Sequence, residues 1–361
     1  MWTSPVIVAI PVRNEEAQVG GCIDALAAQH VPFSRLVLLL NNCTDGTEDV
    51  CRRRAARVAN LDILHVRLAG AAASAGQARR LAWDRAASFA AGGVILTTDA
   101  DARPEPTWIA RNLQALTAGA EAVCGMAALQ AADVRAIRQG VHFDELREGF
   151  LRGLLDEMAA LVDPDPADPW PRKQLFPGAF SAGTAAALRG GGGAPDVASG
   201  EDRALIERLR RVDARIRHAP EICVGVSGRL EGRAAGGMAA ALKRRAARLD
   251  VMTDEALEPA VDAYRRVLAR ARVRGVFASG GGAAALARDL LMTPMTVGAA
   301  LDAAYFGEAW ARVQAASPVL RRRRVAFAAL ARETRLALRL RDEIREGQAV
   351  RLLVGACDAR R

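Results

Sequence analysis

Two carboxylates one residue apart, Asp99 and Asp101, stand directly after the run Val94-Ile95-Leu96-Thr97-Thr98. Three aliphatic residues and two threonines suit a buried strand, so the carboxylates fall where that strand leaves its sheet. In open α/β sheets ligands sit outside the carboxyl ends of strands. A paired aspartate there suits a hard divalent cation that also holds phosphate oxygens. The same pair would equally serve a turn whose aspartates cap the following segment. Upstream, Ala73-Ser74-Ala75-Gly76-Gln77-Ala78-Arg79-Arg80 reads as a small-residue helix start carrying two arginines. A helix N-terminus with a guanidinium nearby suits phosphate, although a solvated arginine has the same local sequence. Asn41-Asn42-Cys43-Thr44-Asp45-Gly46-Thr47 is a polar turn. Its amides and Asp45 suit a base or ribose, and helix capping would also explain Asp45 and Thr47.

Positioning these groups calls for strands and helices in alternation. Apolar runs at 6–12, 36–40, 61–66 and 94–98, with helix-type segments between them, predict a parallel sheet covered on both faces. A dinucleotide-binding turn would place Gly-x-Gly-x-x-Gly after the first strand. Here the strand runs instead into Pro11-Val12-Arg13-Asn14-Glu15-Glu16, which disfavours a simple Rossmann domain. A further strand is expected at 122–126 and a helix over 134–161. That helix's apolar stripe, Phe143, Leu146, Phe150, Leu151, Leu154 and Leu155, is assigned to core packing. Four prolines between Asp163 and Pro171 forbid regular structure there, and Trp170 is either a platform for a sugar ring or a hydrophobic plug.

The chain of 361 residues is long enough for two domains, or for one with a long appendage. Its 51% hydrophobic and 25% charged content is that of a folded protein and excludes disorder as the starting expectation. A net charge of +9 favours anionic partners: nucleotide phosphates, anionic lipid or nucleic acid. The six cysteines lack a Cys-x-x-Cys pair or zinc spacing with the four histidines, which predicts reduced thiols and a cytoplasmic protein. Neither a secretory signal nor a membrane span is expected from the hydropathy pattern.

Ile10 to Glu16, the Asp45-Gly46-Thr47 turn, Gly76-x-x-Arg79 and Thr98-Asp99-Ala100-Asp101 occur in the order and spacing of the family-two glycosyltransferases, and the chain resembles that family. The resemblance implies a GT-A fold: an α/β nucleotide-diphospho-sugar transferase with a mainly parallel, Rossmann-like sheet, extended here by C-terminal helices. It implies a catalytic domain over 1–235, with a nucleotide-binding half (1–126) and an acceptor half (127–235), followed by a mostly helical region (236–361). It also implies transfer of a sugar from a UDP- or GDP-sugar donor to a hydroxyl acceptor, inverting and non-processive, with Mg2+ or Mn2+ as cofactor.

Carried over by position, Pro11, Arg13, Asn14 and Glu15 would line the base and ribose pocket, with Asn41 where the family usually has an aspartate. Asp45, Gly76, Arg79 and Asp99 complete the expected donor site, and Asp101 with Asp99 would hold the metal. Ser199-Gly200-Glu201-Asp202 resembles the family's acceptor-side signature. A positioned carboxylate that takes the acceptor's proton contributes roughly 10² to 10⁴ in rate, the role implied for Asp202, with Glu201 contacting the acceptor. The same Glu-Asp pair would also favour a helix N-terminus electrostatically. Arg229 and Arg233 would reach the diphosphate or a charged acceptor, and His218 is left open as a third metal ligand.

The region after Gly236 reads as helical and basic, with helices expected at 238–250 and 320–344, the second spanning Arg321 to Arg324. Peripheral contact with an anionic membrane, at its inner face, competes there with a solvated helical cap, and no nucleic acid is expected. Two other classes compete with the glycosyltransferase. One is a haloacid-dehalogenase-like phosphatase, which also places Asp-x-Asp after a strand. The other is a non-catalytic basic binding protein.

Overall fold

The computed structural model describes every residue except 1, 59, 71–73, 136, 138, 175–179, 194, 196, 198–199, 231, 233–237, 248 and 348–361. Eight strands form one sheet: β1 (Val6–Val12), β2 (Arg35–Asn41), β3 (Leu61–Val66), β4 (Val94–Thr97), β5 (Arg103–Pro104), β6 (Ala122–Leu129), β7 (Phe180–Thr184) and β8 (Ile216–Val226). Their order is β3-β2-β1-β4-β7-β6-β8-β5. β1 runs parallel to β2 and β4, β2 to β3, and β6 to β8, whereas β7 is antiparallel to β4 and β6 and β5 to β8. The expected sheet is therefore present, but as a mixed one.

The helices between and after the strands are α1 (Val19–Ala27), α2 (Thr47–Arg53), α3 (Ala75–Ala87), α4 (Trp108–Thr117), α5 (Ala131–Val134), α6 (Gln139–Val162), α7 (Ala185–Gly190), α8 (Glu201–Arg211) and α9 (Met238–Ala246). Five more follow: α10 (Ala260–Ser279), α11 (Ala283–Asp289), α12 (Pro294–Leu301), α13 (Phe306–Ala316) and α14 (Leu330–Arg345).

The continuous apolar runs follow from burial on both faces. Val6, Val8, Ile10 and Val12 of β1, with Leu36, Leu38 and Leu40 of β2, pack under α1, α2 and α4. Ile7, Ala9, Val37 and Leu39 point the other way, onto Ala78, Ala82 and Trp83 of α3 and Leu205, Ile206 and Leu209 of α8. Burying each of these aliphatic side chains is worth about 1.5–3 kcal/mol before chain entropy is counted. β6 and β8 shift register between Cys124 and Met126, and a Cβ on Gly125 would lie 2.6 Å from the Ile222 carbonyl oxygen. Only glycine permits that approach.

Two compact units emerge: residues 1–138, 177–210 and 214–247 in the first, and 139–176, 211–213 and 248–361 in the second. They interleave along the chain, where the sequence suggested one cut at residue 235. The first contains the sheet. The second contains one apolar cluster joining α6, α10 and α14 and another joining α10 to α13. Its loop 163–171 is tied down by Asp163, which accepts from Arg270 and Arg274, and by Asp168, which accepts from Gln174 at 2.8 Å. Trp170 in that loop is exposed.

Two sequence expectations need correction. Phe143, Leu146 and Phe150 are exposed, not core, because the apolar cluster of the second unit takes α6 only from Leu151 onward. Arg321 to Arg324 are not helical. A short 3-10 turn ends at Leu320, Ala326 bridges to Met252, and α14 starts at Leu330. Arg323 pairs with Asp262 at 2.6 Å and Arg324 donates to the Thr253 carbonyl, which holds the run extended. Among the described residues Cys22, Cys43, Cys51, Cys124 and Cys223 form no disulfide, and Cys357 lies outside those residues. No described helix is long and apolar enough to cross a membrane.

Candidate active site

The strand order reverses direction at β1, whose neighbours β2 and β4 lie on opposite sides, and both β1 and β4 end at the same edge of the sheet. Such a reversal opens a crevice beyond the strand ends. β1 delivers Pro11, Arg13, Asn14 and Glu15 to this edge, and β4 delivers Asp99 and Asp101. Asn14 takes a left-handed conformation (φ 51°), and its side-chain oxygen accepts from the Thr44 N–H at 2.8 Å. Thr47 accepts the Glu15 N–H at 2.8 Å. The turn after β2 is thereby fastened to the turn after β1. Asp45 accepts from Thr47 N–H at 3.1 Å and from Glu16 N–H at 3.2 Å, so its carboxylate is engaged in building the turn. Burial pushes the Asp45 carboxyl up, but the Thr47 and Glu16 bonds outweigh it and hold it below the usual range. Asn41 is buried at the end of β2, and its side-chain oxygen has no hydrogen-bond partner among the described residues.

Arg79 is the centre of the site. Ser74 caps α3 by accepting the Gln77 N–H at 3.1 Å, and α3 carries Arg79 inward to 5% exposure. A Cβ on Gly76 would stand 2.5 Å from the Val197 carbonyl oxygen, so the helix start and the loop before α8 touch only because that residue is glycine. The Arg79 guanidinium donates to Asp99 at 2.9 Å, to Glu201 at 3.2 Å and to the Thr97 hydroxyl at 3.3 Å, and lies 3.8 Å from Asp202. Residues more than 100 positions apart in sequence thus converge on one cation. Burial works against its charge, but Asp202, Asp99 and Glu201 together raise the Arg79 pKa and keep it protonated.

A second arginine faces the same carboxylates. Arg229, after β8, donates to both Glu15 oxygens, at 2.6 Å for one of them, and sits 3.2 Å from Asp101. The turn that carries it is fixed by Asp133, which accepts the Gly228 N–H at 2.7 Å. Burial, with the adjacent charge of Asp99, pushes the Asp101 carboxyl up to about 6 against the opposing pull of Arg229. Burial likewise raises Asp202 to about 6, Arg79 opposing and Glu201 adding to the rise. One Asp202 oxygen has no hydrogen bond among the described residues. Arg233 lies outside the described residues. His218 is buried on β8 with Nε2 3.3 Å from the Arg210 guanidinium, a cationic neighbour unsuited to a metal ligand.

Residues 7–162 match the sequence family described as glycosyl transferase family 2. Over these residues the chain is similar to the family 2 glycosyltransferases. Glycosyltransferase AglE of Haloferax volcanii is 27% identical over 114 residues, 31% of this chain and 35% of that protein. The chain therefore spans about a third of the length of this curated relative. The structure is also similar to that of S. aureus TarS residues 1–349 in complex with UDP-GlcNAc (18% identity, TM-score 0.47, covering 96% of this chain and 93% of that one). Mannosyltransferase PcManGT from Pyrobaculum calidifontis, in complex with GDP-Man and Mn2+, is similar at 19% identity and TM-score 0.47, covering 87% of each chain. The mixed sheet, packed by helices on both faces, fits the α/β architecture expected of a GT-A fold, and neither the phosphatase nor the non-catalytic reading is favoured.

Do the residues of this site fit a divalent cation? Asp99 and Asp101 each hold one arginine through a single oxygen, and the charge of Asp99 adds to the raised pKa of Asp101. Two repelling carboxylates at a strand end fit a hard cation. Among the described residues no group of three or more His, Cys, Asp or Glu side chains is placed to hold one. Diphosphate oxygens and water would therefore have to supply the other positions, as is usual for Mg2+.

Two contributors were missed from sequence. Thr97 donates to the Ala9 carbonyl at 2.8 Å while accepting from Arg79, which locks the guanidinium to β1 and β4. It read as a strand residue, though a threonine facing a buried arginine position was the available signal. Asp133 gave none, because its role depends on a segment 95 residues later.

Proposed function

We propose that this domain transfers a sugar from a UDP- or GDP-sugar to a hydroxyl acceptor with inversion at the anomeric carbon. The observation carrying the proposal is Arg79, a buried cation shared by Asp99 on the donor side and Glu201 and Asp202 on the acceptor side. Acidic groups from two distant segments face one small volume. That is what a displacement needs when leaving group and nucleophile lie on opposite faces of one sugar ring.

Pro11, Arg13, Asn14 and Glu15 line the nucleoside. The unmet acceptor of Asn41 suits an N–H of the base. Asp45 and Gly76 act indirectly, Asp45 by shaping its turn and Gly76 by admitting the loop before α8. Arg229, released from Asp101, turns to the diphosphate, where a guanidinium makes charge-assisted bonds, and Arg233 is its proposed companion. Mg2+ or Mn2+ bound at Asp101 and Asp99 would offset the negative charge growing on the departing nucleoside diphosphate. Asp202 accepts the acceptor's hydroxyl proton on its carboxylate. The acceptor oxygen then bonds to the anomeric carbon as the bond to the diphosphate oxygen breaks, and its electron pair leaves with the diphosphate. Glu201 holds Arg79 and orients the acceptor.

A panel of UDP- and GDP-sugars tests this by thermal shift with and without Mn2+, followed by nucleoside diphosphate release in the presence of candidate alcohols. One donor class raises Tm in a metal-dependent way by mass action. No metal-dependent shift with either class contradicts the proposal.

A further inference from the structure

α6 presents two different surfaces. Leu151, Leu154, Leu155 and Met158 are at most 3% exposed, whereas Phe143, Leu146 and Phe150 are 62%, 72% and 54% exposed. At helical spacing these three fall with Arg147 within an arc of about 100°. Singly exposed apolar residues are ordinary, but two phenylalanines and a leucine on one helix face form a patch. Leu146, Arg147 and Phe150 line a groove of about 370 Å³ whose other wall is Ala331 and Thr334 of α14. The exposed arginines of α14, Arg332, Arg335 and Arg339, lie at i, i+3 and i+7 and form a stripe beside that wall. Arg332 pairs with Glu333 at 2.8 Å, and Arg147 lies 3.4 Å from Asp144 with its guanidinium 5.6 Å from the Phe143 ring. Arg335 and Arg339 make no ion pair among the described residues.

An occupant of this face must bury aromatic and aliphatic groups beside unneutralised positive charge. A second copy of the chain would bring arginine stripes together, and the net charge of +9 works against that. A bilayer bearing anionic headgroups satisfies both demands, since apolar side chains enter the acyl boundary while arginines stay among the phosphates. We propose that this face of the second unit docks on an anionic membrane, with Phe143, Leu146 and Phe150 inserted and Arg335 and Arg339 at headgroup level. The proposal places the contact on α6 and α14, away from the Arg321 to Arg324 run singled out in the sequence. It does not depend on glycosyl transfer.

Sedimentation of the full chain with sucrose-loaded vesicles tests it, using phosphatidylcholine with phosphatidylglycerol against phosphatidylcholine alone, at about 0.15 M salt. Wild type sediments with the anionic vesicles and much less with the neutral ones. Combined Phe143→Ser, Leu146→Ser and Phe150→Ser lowers the partition about tenfold or more. Arg335→Glu with Arg339→Glu does the same and removes the lipid-charge dependence. All these side chains are exposed, so melting temperature and nucleotide binding stay unchanged, which separates failure here from failure of the transferase proposal. Absence of wild-type sedimentation, or equal sedimentation by the serine variant, overturns the proposal. So does a concentration-dependent dimer that the serine substitutions dissolve while vesicle binding is unaffected.

Discussion

Arg79 is a cation that three carboxylates share, and what it does follows from which of them is removed. Losing Arg79 itself leaves Asp99, Glu201 and Asp202 mutually repelling, with Glu201 and Asp202 largely shielded from water. Removing one partner from a buried ionic network costs about 3–5 kcal/mol. Arg79→Gln is accordingly expected to lower unfolding stability in urea by about 3 kcal/mol, less than that if water enters beside Asp99. Asp202→Asn keeps the shape and removes the base. Transfer should fall by roughly 10² to 10⁴ while donor affinity measured by calorimetry stays within about twofold. The pH dependence has a definite sign. Asp202 works only when ionised and titrates at about 6, so kcat/KM should fall as pH drops through about 6 and level off above it. Stability runs the other way: a carboxyl raised from about 4 unfolded to about 6 folded binds extra protons in the native state, so these groups favour folding less as pH rises through that window. A stability profile between pH 4 and 7 for wild type against Asp202→Asn isolates the Asp202 share.

At the scale of elements, the site depends on α3 and the loop before α8 meeting at Gly76. Gly76→Ala sets a methyl 2.5 Å from the Val197 carbonyl and should destabilise the chain by about 1–3 kcal/mol, read by urea unfolding, with a larger loss of transfer than of donor binding. The central strands were legible in the sequence because burial on both faces leaves continuous Val, Ile and Leu runs, as at Leu36 to Leu40. The carboxylates of the site were legible because strand ends and small-residue turns are written locally, in Thr98-Asp99-Ala100-Asp101 and Gly200-Glu201-Asp202. What the sequence could not display is pairing across distance. That Arg79 and Glu201 meet, or that Arg229 clasps Glu15 from 214 positions away, follows from strand order alone. α6 misled for a related reason: helical spacing names a face and not its neighbour, and the core reaches only the Leu151 to Met158 part of that face. The Arg321 to Arg324 run misled because helix-type composition yielded to ion pairs and a strand-like bridge.

The whole molecule combines a sheet-based unit, whose strand reversal makes a crevice, with a helical unit that bears an apolar and basic face. The net charge of +9 suits both a diphosphate and an anionic surface, so nucleotide affinity should weaken with added salt. The central claim is a division of labour, in which one acidic cluster holds the cation and leaving group and the other faces the incoming alcohol. Its most direct test is the thermal shift produced by UDP or GDP with Mn2+, compared across wild type, Asp101→Ala and Asp202→Asn, with transfer measured on the same samples. The metal-dependent shift should vanish in Asp101→Ala and persist in Asp202→Asn, while transfer is lost in both. Equal loss of the shift in the two variants, or its survival in Asp101→Ala, would contradict the account.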